Sequence, residues 1–168
     1  MKRSFVRTIG GTVLALMVIS ALTFGLVFAQ GESRSESGRG DRLEGTWNVQ
    51  VTIRNCQNNA PIRSFPSLTT FMSGGTLLDS TSGIPQALKT PGHGTWSHTG
   101  GNTYRFKFKS FSFDASGNFT GWTIINQEAN LERRRFDEYE STGTSEVYAP
   151  NGSLLFTGCS TTTATRFE

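Results

Sequence analysis

The sequence predicts an all-β protein: a single antiparallel up-and-down eight-stranded β-barrel, with a two-sheet β-sandwich as the alternative. Three observations carry this. Residues 43–56 alternate cleanly, Trp47, Val49, Val51 and Ile53 on one face and Thr46, Asn48, Gln50, Thr52 and Arg54 on the other, the period-two pattern of a half-buried strand. Similar stretches recur to the end of the chain, separated by glycine, proline and asparagine turn signals. No segment after residue 29 has helical periodicity. Eight successive antiparallel strands joined by short connections dispose of their exposed edges by closing into a barrel.

Residues 1–29 read as a signal peptide. Lys2, Arg3 and Arg7 form a basic start, residues 9–28 are apolar and uncharged, and Val27-Phe28-Ala29 offers small or aliphatic residues to a signal peptidase. Cleavage after Ala29 would release an exported protein, periplasmic or extracellular, with no stable membrane insertion. The alternative is an uncleaved N-terminal membrane anchor, since about 20 apolar residues can just span a bilayer. Residues 30–42 hold no apolar side chain to bury and are expected to be a disordered polar tether to the barrel domain, residues 43–168. Losing Lys2, Arg3 and Arg7 with the leader leaves 13 Lys and Arg against 13 Asp and Glu, a formally neutral mature chain. The whole-chain pI of 9.1 is thus a property of the leader, and nucleic acid is not an expected partner.

Turns at Asn58-Asn59-Ala60-Pro61 and Ser73-Gly74-Gly75 bound a strand over 65–72; 76–80 is a strand, 81–94 a long irregular segment, and 94–97 a short strand. Residues 104–109 place Tyr104, Phe106 and Phe108 on one face and Arg105, Lys107 and Lys109 on the other, but Phe111 and Phe113 continue on the opposite parity. Keeping both aromatic sets inside requires an extra residue, so a bulge is expected near Lys109-Ser110. A turn at 115–118 leads to a strand over 119–131. A charged corner at 132–135, a strand over 136–148, a turn at 149–152 and a strand over 153–167 follow.

Two cysteines in an exported chain suggest one disulfide, Cys56 with Cys159. Closure makes the first and last strands neighbours. If the cysteines are directly opposed, Arg166 faces Val49, Ala164 faces Val51, Thr162 faces Ile53, and Trp47 and Arg166 are diagonal neighbours on the inner side.

Gly45-x-Trp47 at the start of the first strand, with Arg166 of the last strand packing across the tryptophan, resembles the signature of the calycin barrels, most closely the lipocalins. In place of the lipocalin Thr-Asp-Tyr this sequence has Asp137-Glu138-Tyr139. Gly45-Thr46-Trp47 is similar also to the opening strand of avidin-type barrels, but the other biotin-contacting positions of avidin have no match here. The resemblance implies a single-domain barrel that binds a small molecule.

An eight-stranded barrel either fills with side chains or leaves room for one small ligand. The apolar inward candidates are Trp47, Val49, Val51, Phe71, Trp96, Tyr104, Phe106, Phe108 and Phe156; Arg166 could hold a ligand carboxylate or brace the barrel end by stacking on Trp47. Of these, Trp47, Phe71, Trp96, Tyr104, Phe106, Phe108, Phe156 and Arg166 are the candidate ligand-binding residues. Parity alone leaves open whether Trp122, Ile124, Asn126 and Glu128 or Thr123, Ile125, Gln127, Ala129 and Leu131 face inward. In the first case the pocket contains a carboxylate.

His93 and His98 have opposite parity, unsuited to one shared metal ion; His93 could be a lone haem ligand or a general base in a loop. No nucleophile elbow, activated cysteine or phosphate loop is present, so no catalytic residue and no cofactor are assigned. Glu138, Glu140 and Glu146 share a parity and are expected to form an acidic outer stripe. The leading expectation is binding of a small apolar or amphipathic ligand without turnover. The others are an interaction module with a filled core, whose protein partner the sequence does not name, and a cofactor-free isomerase or cyclase using Glu128 or His93.

Overall fold

A computed structural model describes residues 40–167. The expected leader and all but the last residues of the expected tether lie outside the described residues.

A 3-10 turn, Gly40–Leu43, precedes β1 (Gly45–Arg54). Then come β2 (Pro61–Met72), β3 (Thr76–Thr81), a 3-10 turn Gln86–Leu88, β4 (Gly92–Gly100) and β5 (Thr103–Phe113). The chain ends with β6 (Phe119–Leu131), β7 (Glu138–Tyr148) and β8 (Leu154–Arg166). Each strand pairs antiparallel with the next and β8 returns to β1, so the sheet is a closed up-and-down barrel. No edge is left to be protected.

Strand ends depart from the sequence reading where a turn signal is absorbed by the ladder. β2 begins at Pro61 rather than Phe65 and carries Pro66 in mid-strand. The Pro66 carbonyl accepts from Ser82 N at 3.0 Å, which places the missing N–H on the β3 side, one residue past the last β2–β3 pair, Ser67 with Thr81. The proline therefore removes no bond from the β1–β2 ladder. The segment expected to be irregular over 81–94 contains the Gln86–Leu88 turn and gives its last residues to β4.

The expected bulge at Lys109-Ser110 is absent. β5 keeps register with β6 from Thr103 with Asn130 to Ser112 with Gly121, and shifts only where Phe113 meets Phe119. Small, buried Ser110 takes the inward position, so parity is kept and Phe111 and Phe113 point outward. They are not lost to packing. Phe119 meets Phe111 at 5.9 Å and Phe113 at 6.1 Å, Trp122 stacks on Tyr148 at 5.5 Å, and the Lys109 ammonium lies 4.2 Å from the Trp122 ring centroid.

The seam between β1 and β8 is set two residues away from the register inferred from opposed cysteines. Trp47 is directly opposite Arg166, Val49 opposite Ala164, Val51 opposite Thr162, and Cys159 opposite Arg54. The disulfide forms nonetheless, because Cys56 lies in the turn after β1 and curls back to within 5.2 Å, Cα to Cα, of Cys159. Faces are unchanged, since a shift of two preserves the period of two. Such a bridge persists in oxidising, extracytoplasmic compartments. Among the described residues no helix is long and apolar enough to cross a membrane.

Gly94 on β4 is required by close approach: a Cβ there would strike the Lys107 carbonyl and Phe108 of β5. The core is concentrated at the end where β1 begins. Leu43, Trp47, Phe71, Leu77, Tyr104, Leu131 and Tyr139 are buried there, Phe71 meeting Trp96 at 5.9 Å and Trp47 meeting Tyr139 at 4.9 Å. The Trp47 indole donates from Nε1 to the Leu43 carbonyl at 2.9 Å, fastening the 3-10 turn across this end as a stopper.

Candidate functional site

The opposite half of the barrel is not filled. A cavity of about 440 Å³ opens between the first half of β2, the ends of β1, β3 and β5, and the starts of β6 and β8. That is within the usual range of about 300–1,000 Å³ for small-molecule sites. Its walls are mainly apolar: Val49, Val51, Ile53, Phe65, Phe106, Phe108, Ile125 and Val147, with Phe156 at the mouth. The chain between β3 and β4 folds over that mouth, bringing Gly83 and Ile84 to the lining and Lys89 inward. Arg63 donates to the Gly83 carbonyl and lies 4.9 Å from the Phe65 ring, tying this segment to β2.

The inner end of the cavity is polar. Asp79, on the inward parity of β3 two residues after Leu77, accepts at Oδ2 from Ser67 Oγ at 2.8 Å and Thr69 Oγ1 at 3.1 Å. Lys89 Nζ stands 4.0 Å from Asp79 Oδ1. Burial pushes the Asp79 carboxyl up, against the lowering effect of Ser67, Lys89 and Thr69, and pushes Lys89 down, against Asp79. Tyr139 is among the residues lining the same cavity, and burial followed by the Asp79 charge pushes the pKa of its phenol up. Thr69 is near enough to draw the phenol's pKa down somewhat, but the Tyr139 hydroxyl has no partner within hydrogen-bond distance.

Across the cavity, Gln127 donates from Nε2 to Ser160 Oγ at 2.8 Å and accepts at Oε1 from Ser141 Oγ at 3.0 Å; Ser141 and Thr162 are 2.6 Å apart. That network satisfies itself. A wider depression on the outer wall, bounded by Leu68, Gln86, Glu138 and Thr165, lies open, and its charged residues, Glu138 and Glu140, are exposed.

The eight candidate residues divide between the two halves. Phe106, Phe108 and Phe156 line the cavity, Phe156 with 58% of its surface exposed at the mouth. Trp47, Phe71, Trp96 and Tyr104 lie in the packed end and do not reach it. Arg166 is there too. Its guanidinium carbon lies 4.3 Å from the Trp47 ring centroid, and its nitrogens donate to the carbonyls of Glu44, Arg42 and Phe136 at 2.7, 2.7 and 3.0 Å. Those contacts consume the fork that a ligand carboxylate would need. Gly45 belongs to the same arrangement: its φ is +116°, and a Cβ would sit 2.8 Å from Arg166 Nη1.

The parity left open for β6 is settled. Thr123, Ile125, Gln127, Ala129 and Leu131 face inward, and Glu128 is outside, 2.9 Å from Arg105 in an exposed ion pair. Glu128 is therefore not a cavity acid. His93 is exposed on β4, opposite Lys109 of β5 rather than in a loop, and His98 lies against Tyr104 with a ring nitrogen 3.0 Å from the Gly101 carbonyl. Among the described residues no cluster of three or more His, Cys, Asp and Glu could hold a metal.

The barrel's closure and its seam decide the architecture. It is consistent with a calycin-like barrel. No protein-family model matches the sequence, and no curated protein is significantly similar to it. Among solved structures, the chain is similar to the protein titled "Crystal Structure of Rv2717c from M. tuberculosis", at 12% identity over 76% of this chain and 94% of that one, with a TM-score of 0.36. At that score the likeness carries no argument about function.

Asp79, Lys89 and Tyr139 escaped the sequence reading. Asp79 had a signal: a carboxylate sharing parity with Leu77 in a short apolar strand. Tyr139 had one as well, because the outward stripe of Glu138 and Glu140 forces it inward. Lys89 had none, since it enters the cavity from a non-repeating segment.

Proposed function

We propose that this chain is an exported barrel of lipocalin-like type that binds a small apolar or amphipathic molecule without turning it over. The observation that carries the reading is the half-filled interior, about 440 Å³ of mainly apolar cavity reaching from Asp79 and Tyr139 to the mouth at Phe156. An empty apolar space of that size forfeits dispersion contacts along its whole lining, and a ligand restores them. The stoppered far end, Gly45, Trp47 and Arg166 included, leaves the mouth as the route of entry, and the disulfide supports an exported setting. The test is uptake of an uncharged apolar fluorophore. The disulfide-intact protein is expected to bind one equivalent, and Ile125→Trp, which fills the cavity from its wall, is expected to abolish uptake while retaining the barrel's circular dichroism. Uptake unchanged in that variant would place the probe elsewhere and refute the reading.

A second reading, a module that meets a protein partner, is supported by the outward aromatics at the same end, Phe111 and Phe119, together with exposed Leu154 and Leu155. Its test is a partner whose binding Phe111→Ser with Phe119→Ser removes and Ile125→Trp does not.

A further inference from the structure

At the inner end of the cavity one polar group is buried with nothing to bond to. The Tyr139 ring packs edge-on to Trp47, and the residue, 2% exposed, is among those lining the cavity; its hydroxyl is buried with no hydrogen-bond partner. Phenylalanine would fill the same space without the cost of an unsatisfied hydroxyl. Beside it stands an acceptor that is only partly used. Asp79 receives both of its hydroxyl donors, Ser67 and Thr69, on Oδ2, while Oδ1 has Lys89 Nζ at 4.0 Å, beyond hydrogen-bond distance.

The charge at this end restricts what can enter. A carboxylate head would come against Asp79 and an ammonium head against Lys89, each with no uncompensated opposite charge to meet it. Asp79 and Lys89 already face each other, and burial disfavours charge on either, so a third charge would be desolvated here without a partner of its own. A neutral head must instead supply what is missing: an acceptor for the Tyr139 proton and a donor for Asp79 Oδ1. A ketone or ester supplies only the first. A hydroxyl supplies both.

We infer that Tyr139 and Asp79 form a head-group site for an uncharged, hydroxyl-bearing apolar molecule, whose oxygen accepts from Tyr139 and whose proton is donated to Asp79 Oδ1. The hydrocarbon part then runs past Phe106 and Phe108 toward Phe156. This inference rests on the ligand-binding reading above and specifies its ligand class.

The experiment is displacement of the uncharged apolar fluorophore N-phenyl-1-naphthylamine from the disulfide-intact protein by four ligands of equal chain length: decanol, 2-decanone, decanoate and decylamine. Decanol is expected to displace most tightly, ahead of the ketone by about fivefold, as for one hydrogen bond, and ahead of both charged ligands by tenfold or more. Tyr139→Phe is expected to weaken decanol about fivefold relative to the fluorophore, both affinities being measured on the variant. Decanoate or decylamine binding as tightly as decanol would overturn the head-group site, as would decanol affinity unaltered relative to the fluorophore in Tyr139→Phe, while fluorophore binding would still support the barrel as a binder. No fluorophore uptake by the native protein would overturn both. If Tyr139→Phe does not fold, the ranking of the four ligands on the native protein decides alone.

Discussion

Arg166 lies across Trp47, directly opposite it in the β1–β8 ladder, with its guanidinium carbon 4.3 Å from the indole centroid. One side chain thereby ties the last strand to the first strand, to the 3-10 turn before it and to the corner at Phe136. Arg166→Lys keeps the charge but cannot present a planar fork to three carbonyls. It is expected to cost about 2–4 kcal/mol in urea unfolding, since hydrogen bonds to charged groups are worth roughly 1.5–3 kcal/mol each. Binding at the other end is expected to persist, so a variant of native stability that has lost its ligand would reassign Arg166 to the site.

The disulfide closes a loop with a sequence separation of 103 across the seam that makes the sheet a barrel. Constraining so long a loop in the unfolded chain is worth about 4–5 kcal/mol on the chain-entropy account. Cys56→Ser with Cys159→Ser is expected to lower the free energy of unfolding by about 2–5 kcal/mol, with the strand signal retained at low temperature.

Asp79 makes the stability depend on pH in a direction opposite to that of a surface carboxylate. Its pKa is raised by burial from 3.8, so just above that value the folded protein holds the proton more tightly than the unfolded chain does. Stability from this group is full below about pH 3.8 and falls as pH rises through the raised value, then levels off. Asp79→Asn removes that fall. Equilibrium unfolding of the two proteins across pH 3–8 is expected to diverge in this sense, the native protein losing stability relative to the variant as pH rises.

Trp96→Ala separates packing from binding. Trp96 is partly buried against Phe71 and Tyr104 and donates to the Met72 carbonyl at 2.9 Å, outside the cavity. Truncation is expected to cost about 2–3 kcal/mol, somewhat under the roughly 3–5 kcal/mol of a fully buried tryptophan, and to leave fluorophore affinity unchanged. Phe108→Ala, in the cavity wall, is expected to change that affinity.

The eight strands were legible because alternation and turn signals both act over a few residues, the range a sequence displays. Position along the barrel axis was not. Trp47, Phe71 and Tyr104 share the inward parity of Val51, Phe106 and Phe108, and nothing in a strand of period two says which end is packed and which is open. Phe111 and Phe113 misled for a related reason: an aromatic residue can be held by neighbours on the outer face, as Phe119 holds both of these, and no bulge is then needed. The cysteine register failed by two because a bridge can reach from a turn and does not require opposed positions. Lys89 was illegible since a loop residue carries no parity at all.

The most direct test of the half-filled barrel is native mass spectrometry of the disulfide-intact protein purified from an oxidising export compartment, followed by denaturation and mass analysis of what is released. The account predicts a reproducible small molecule at about one per chain, uncharged and mainly hydrocarbon. A bare protein mass, together with failure to take up apolar probes afterwards, would contradict it.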